Sequence, residues 1–181
     1  SPRGEPVDGG ILLTGATGFL GSVILVELVR RCPTRAIRCL VRDDDATSAL
    51  ARVRANATAA AAPADKARVN AAFDAARVVA VVADIAQPSL GLDVNAFERL
   101  GASVDIVIHA AALVNHALPY SAHRAANVGG TRELLRLAAA RCARCACVST
   151  IAAIARAGLR AAGGQLEAAL GGADDNVRVA A

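Results

Sequence analysis

An α/β fold built on a doubly wound parallel sheet of about five strands is predicted by three observations. Short, β-compatible apolar runs recur along the chain and are separated by longer helical stretches. The first run ends in three glycines at a three-residue repeat, Gly15, Gly18 and Gly21. The composition, 55% hydrophobic but only 2% aromatic over 181 residues, supplies one sizeable core that must be made from Ala, Val, Leu and Ile. Strand and helix in steady alternation mean right-handed βαβ units with helices on both faces of the sheet.

The first strand is Ile11-Leu12-Leu13-Thr14. The glycine repeat follows as a tight turn and the start of a helix, in which Phe19, Leu20, Val23, Ile24, Val26, Leu28 and Val29 predict a broad buried apolar face. A turn of this kind lets the backbone approach a pyrophosphate, and the first helical amides direct donors and partial positive charge at it. A Rossmann-like, dinucleotide-binding domain is therefore predicted; the alternative is a glycine turn with no ligand. A second strand is expected over residues 36–41, an Ala/Arg-rich helical stretch over 44–76 with a break near Pro63, and a third strand over 77–83. A fourth strand is expected over 104–109, a helix from about 121 to 141, and a fifth strand over 145–148.

Residues 1–9 read as a linker, 10–150 as the NAD(P)-binding domain and 151–181 as a loosely ordered tail. In the tail, Leu159, Leu166 and Leu170 fit one amphipathic helix that the Gly163-Gly164 and Gly171-Gly172 pairs would fray. The chain has no methionine, and a segment of a longer polypeptide is the expected origin. The net charge of +4 comes from arginines scattered along the chain, which suits a solvated surface and argues against nucleic acid as a partner. No apolar stretch approaches the roughly 20 residues of a membrane span, and the N-terminus has no signal-peptide core, so no membrane partner and a cytoplasmic location are expected. Five cysteines, an odd number, suit unpaired thiols in a reducing compartment. Cys142, Cys145 and Cys147 have no second ligand pair, so they read as small core residues of a buried strand and no metal site is expected.

The end of the second strand bears on cofactor choice. An acidic residue there favours NAD through the adenosine ribose, whereas an arginine can hold the 2′-phosphate of NADP. The chain reads Cys39-Leu40-Val41-Arg42-Asp43-Asp44-Asp45, so Arg42 points to NADP. The three aspartates would oppose a 2′-phosphate if they turned inward, and a solvated surface arginine is the competing reading.

Together these residues resemble the extended branch of the short-chain dehydrogenase/reductase family. Within it they resemble the thioester reductase domains of nonribosomal peptide synthetases, polyketide synthases and carboxylic acid reductases. The matching pieces are Thr14-Gly-Ala-Thr-Gly-Phe-Leu-Gly21, Cys39-Leu-Val-Arg42, Ala83-Asp84-Ile85, Asp105-x-Val-x-His-Ala-Ala-Ala112, Asn127-Val-x-Gly-Thr131 and Val148-Ser-Thr150. Val114-Asn115 and Pro119-Tyr120 point to the thioester reductase branch.

The resemblance implies that Gly15, Gly18 and Gly21 form the phosphate turn, lined by Thr17, Phe19 and Leu20. It implies that Asp84 bonds the adenine amino group and Ile85 packs on the ring, that Ala110, Ala111 and Ala112 leave room for the cofactor, and that Asn127 braces the central helix against a neighbouring strand. Thr150 would be the catalytic Ser/Thr, donating to the substrate carbonyl. Each has a plainer reading: Asp84 as a cap or turn residue, His109 as a packed core histidine, Tyr120 as a packing residue at a helix start, and His116 and His123 as surface residues.

The departure from the family is the Tyr-x-x-x-Lys pair that completes hydride transfer. No Tyr or Lys follows Thr150, and the C-terminal part of the family fold is expected to be missing. The leading reading is the NADPH-binding portion of a reductase that converts a carrier-bound acyl thioester to aldehyde or alcohol. The alternatives are a non-catalytic dinucleotide-binding module and another extended short-chain enzyme, such as a fatty acyl-CoA reductase or a sugar epimerase.

Overall fold

The computed structural model describes residues 9–115, 117–139 and 144–147. Five parallel strands form one sheet in the order β3-β2-β1-β4-β5. These are β1 (Gly10–Thr14), β2 (Ile37–Val41), β3 (Val78–Val82), β4 (Val104–His109) and β5 (Arg144–Cys147). From β1 the chain steps outward through β2 to β3, then returns across the sheet to place β4 on the other side of β1. Strand order therefore reverses between β1 and β4, and ligands of open α/β sheets bind beyond the carboxyl ends of strands at such a point.

Both faces are covered. Helices α1 (Phe19–Arg31), α2 (Ala46–Ala60) and α3 (Lys66–Asp74) cover one face. Leu13, Ile37, Cys39, Val41 and Val78 meet Leu25, Val29, Val53 and Phe73 there. Helices α4 (Val94–Ala102) and α6 (Gly130–Ala139) cover the other, with Leu12, Leu40 and Val107 against Leu100, Leu134 and Leu137. Alternate residues of β1 and β2 serve opposite layers, which is why Ile11-Leu12-Leu13 and Cys39-Leu40-Val41 are continuous apolar runs. Arg77 ties the layers of β3 and α1 by donating to the carbonyls of Val29, Cys32 and Arg35 at the C-terminal end of α1, where the helix dipole favours a cation.

The α/β class and the five-stranded parallel sheet stand as the sequence predicts, and the break near Pro63 separates α2 from α3. Three expectations need correction. Phe19 is 91% exposed and Leu20 and Val23 are about half exposed, so the fully buried apolar face of α1 begins at Leu25; no described helix or strand covers the side chains of its first turn. Cys145 and Cys147 lie in β5 but are half-buried, because β5 is the sheet edge in the described residues. The helix expected from 121 begins at Tyr120 and is interrupted: α5 (Tyr120–His123) passes into a π-helical stretch, Arg124–Gly129, before α6. Helix α4 is an addition to the expected elements. Asp93 accepts from Ala96 N as its N-cap, and Phe97 and Leu100 lie on its inner side. Residues 1–8, His116, Cys142, Thr150 and the 151–181 segment fall outside the described residues.

Candidate functional site

The glycine turn sits at the C-terminal end of β1, against the segment leaving β4. Gly15 has φ +78°, and a Cβ on it would stand 2.8 Å from the Ala110 carbonyl carbon and the Ala111 nitrogen. A Cβ on Gly21 would run into the Gly15 backbone carbonyl. Gly18 N donates to Gly15 O at 2.9 Å and Ser22 N to Gly18 O at 3.0 Å, closing turn into helix. Gly18 is the N-cap of α1 yet offers no side chain to the helix, and the first turn of α1 carries no acidic residue. The leading amides of α1 are thus left available to an anion, with the helix dipole in its favour.

A buried polar pair fixes this turn to β4. Thr14 Oγ1 lies 2.7 Å from His109 Nδ1 and accepts from Ala111 N at 3.1 Å, while Ala110 N donates to Thr14 O at 3.3 Å. The Thr14 hydroxyl donates to Nδ1 when the imidazole carries its hydrogen on Nε2 and accepts from Nδ1–H in the other tautomer, and its oxygen accepts from Ala111 N in either case. Burial pushes His109 down to about 4, which keeps the ring neutral and able to accept. His109 is only 3% exposed, a packed histidine with a structural bond. Thr14 belongs to the glycine motif but has no role assigned from sequence; its signal is a β-branched hydroxyl residue at a strand end facing a histidine on the neighbouring strand.

At the end of β2, Arg42 is exposed, and among the described residues its guanidinium makes no hydrogen bond or ion pair. The aspartates that follow are largely committed elsewhere. Asp43 pairs with Arg52 at 3.1 Å. Asp45 caps α2, accepting from Thr47 N, Ser48 N and Ser48 Oγ, bonds that hold its carboxyl below the usual range, that from the Ser48 hydroxyl foremost.

After β3, Asp84 Oδ1 accepts from Ala86 N at 2.9 Å, an Asx turn, so the plainer reading of this residue is part of the structure. Ile85 packs against the core layer that contains α6, and its carbonyl lies so close to the helix that a Cβ on Gly130 would stand 2.8 Å away. Ala110 and Ala111 are half-buried and Ala112 exposed, Thr17 is half-buried, and Phe19 and Leu20 project from the rim of the turn. Asn127, in the π-helical stretch, accepts from Leu113 N at 2.7 Å and donates to Leu113 O at 3.0 Å. It braces the segment leaving β4, not the strand itself. Tyr120 is half exposed at the start of α5, and His123 Nδ1 bonds the Pro119 carbonyl. No group of three metal-ligating side chains occurs among the described residues.

A glycine turn, an unblocked helix N-terminus and a strand-end crevice at the reversal of strand order define a dinucleotide-binding domain of Rossmann type. The chain belongs to the NAD-binding family described as male sterility protein, which matches residues 13–166; its cofactor is a nicotinamide dinucleotide. A carboxylic acid reductase of Mycobacterium tuberculosis is 40% identical over 130 residues, 71% of this chain and 11% of that enzyme. The terminal R domain from the myxalamid PKS-NRPS biosynthetic pathway superposes with a TM-score of 0.69 at 43% identity, covering 79% of this chain and 34% of that domain. A thiolation-reductase di-domain from an archaeal non-ribosomal peptide synthetase gives a TM-score of 0.61 at 29% identity, covering 79% of this chain and 28% of that one. The chain thus spans about a third of the solved reductase domains it resembles. No described helix is long and apolar enough to cross a membrane.

Proposed function

We propose that this chain is the NADPH-binding portion of a thioester reductase acting on an acyl group carried by a carrier domain and releasing an aldehyde or alcohol. The observation that carries the reading is the closed glycine turn at the β1/β4 reversal, in a chain homologous to reductase domains of peptide synthetases. Bound there, NADPH would be the source of the hydride that reduces the thioester carbonyl carbon. The chain's own residues bind and orient it: the α1 amides and the Gly15–Gly21 turn receive the pyrophosphate, and Asp84 and Ile85 hold the adenine. Ala110, Ala111 and Ala112 leave space along the crevice. Arg42 is proposed as the 2′-phosphate ligand, supported by the lack of a partner for its guanidinium among the described residues and by the engagement of Asp43 and Asp45 with other partners.

Thr150 is proposed to donate a hydrogen bond to the thioester carbonyl. No Tyr or Lys follows it among the 181 residues, so residues 151–181 do not supply the pair that protonates the developing alkoxide. A carrier-borne substrate is supported by the thiolation-reductase pairing in the archaeal relative. The test is a titration of the chain with NADPH and NADH, in wild type and Arg42→Ala. Loss of NADPH affinity by about tenfold or more with NADH little changed supports the assignment, in line with the roughly 1.5–3 kcal/mol of a charged hydrogen bond. Equal loss for both overturns NADP, and binding of neither overturns the dinucleotide reading.

A further inference from the structure

The turn after β3 departs from any regular element. Ser89 and Leu90 both lie in the left-handed region, at φ 51° and 61°, followed by Gly91 at φ 72°. Neither is a residue that settles there by preference, and two in succession persist only where the surroundings over-determine them. The surroundings here include three side chains of α4 and α6, in the layer that also buries Leu90. Glu133 of α6, only 6% exposed, accepts from Ser89 N through Oε2 at 3.1 Å. Arg136, one turn further along α6, bonds the same Oε2 at 2.8 Å and donates to Ser89 Oγ at 2.8 Å. Its guanidinium also stacks 4.7 Å from the Phe97 ring centroid of α4. Leu90, the strained residue, is fully buried in the same layer.

The turn closes back on the residue that opens it. Asp84 N donates to Leu90 O at 2.9 Å and Gln87 N to Asp84 O at 3.0 Å, while Asp84 Oδ1 is occupied by Ala86 N. The position of the Asp84 carboxylate, and of Ile85 beside it, is therefore set by a loop whose far end hangs on Glu133. An open cleft of about 210 Å³ beside the loop is lined by Gln87, Val128 and Glu133 among others.

We infer that Glu133 and Arg136 are positioning residues for the adenine end of the dinucleotide site: they pin the left-handed turn and through it place Asp84 and Ile85. Neither touches the cofactor. The inference rests on the dinucleotide reading proposed above.

Two measurements on the full chain test it, using Glu133→Ala, Glu133→Gln and Arg136→Ala. Amide hydrogen exchange without ligand is expected to rise at least tenfold at Ala86, Ser89 and Leu90 in Glu133→Ala, with Gly18 and Ser22 unchanged. Titration with adenosine 2′,5′-bisphosphate, the adenine half of NADPH, is expected to weaken about tenfold in Glu133→Ala and less in Glu133→Gln, whose amide oxygen still accepts from Ser89. Adding Ser89→Gly, which accepts a positive φ without strain, is expected to restore part of the affinity lost in Glu133→Ala, a recovery that a general loss of stability would not give. Unchanged exchange at 86–90 overturns the clamp, and raised exchange with unchanged bisphosphate affinity overturns its link to adenine. Raised exchange in Glu133→Ala, together with a wild-type chain that binds neither NADPH nor the bisphosphate, overturns the dinucleotide reading and the positioning role with it.

Discussion

Two turns border the candidate site, and they are built on opposite principles. The Gly15–Gly21 turn is shaped by backbone against backbone: Gly15 and Gly21 stand where any Cβ would strike a carbonyl or amide, and among the described residues its buried side-chain anchor is the Thr14–His109 pair. The turn from Asp84 to Gly91 is shaped by side chains against backbone, with non-glycine residues held at positive φ by Glu133 and Arg136. The left-handed conformation costs roughly 1–2 kcal/mol per non-glycine residue, so the second turn depends on its clamp and the first does not. At Gly15 and Gly21 the backbone-shaped turn has no room for an added atom; a clamped turn tolerates relaxation.

The largest expected effect breaks the first turn. In Gly21→Ala the new methyl meets the Gly15 carbonyl, which is backbone and cannot rotate away. Overpacking of this kind costs about 1–3 kcal/mol or more. NADPH affinity is expected to fall by two orders of magnitude or below detection in a fluorescence titration; binding within fivefold of wild type would mean the turn is as pliable as its counterpart. The matching insult to the second turn is Gly130→Ala, whose methyl meets the Ile85 carbonyl at 2.8 Å and the Ile85 Cβ at 3.0 Å. Because that loop can shift, a loss of about tenfold or less is expected, and a loss as large as that of Gly21→Ala would erase the contrast.

The polar anchor of the first turn gives it a pH dependence. His109 titrates near 6.5 when unfolded but at about 4 when folded. Between these values the unfolded chain binds more protons, so stability falls as pH drops from 6.5 towards 4 and changes no further from this group below that, by about 3 kcal/mol at most. The carboxyl of Glu27, held at about 2 chiefly by its hydrogen bond to Arg30, contributes its own loss only below the usual carboxylate range. Among the described residues, the window from pH 6.5 to 5 therefore reports His109. Urea unfolding of wild type and His109→Asn across that window should show a slope in the first and none in the second. Thr14→Val, which preserves shape but strands Ala111 N and His109 Nδ1, is expected to cost about 1–3 kcal/mol in the same assay.

The same contrast governs what the sequence discloses. Gly15 and Gly21 are legible because a backbone contact leaves only one residue type possible, and the runs Ile11-Leu12-Leu13, Cys39-Leu40-Val41 and Ile106-Val107-Ile108 are legible because strands covered on both faces favour unbroken apolar stretches. The turn at Ser89 and Leu90 is not legible: no glycine marks either position, and its cause lies more than forty residues away at Glu133. Helix α4 beside it escapes a sequence reading for want of a long apolar stripe. The exposure of Phe19 is hidden for a third reason, since helical periodicity identifies an apolar face but not where along its length the partner layer ends.

The smallest change separates shape from charge within the first turn. Gly18 has ordinary extended backbone angles, φ −91° and ψ 169°, and heads α1 with no side-chain cap. Serine at this position supplies an acceptor to the α1 amides, a gain of a few tenths of a kcal/mol over glycine, offset by a methylene 3.3 Å from the Gly15 oxygen. Thermal stability of Gly18→Ser is therefore expected to stay within about 0.5 kcal/mol of wild type. Its hydroxyl, however, occupies the donors that the pyrophosphate is proposed to use, so NADPH affinity should fall severalfold. A helix N-terminus left uncapped is thus a small concession in stability kept for a ligand, and a Gly18→Ser chain with unchanged affinity would show that these amides are not what the dinucleotide uses.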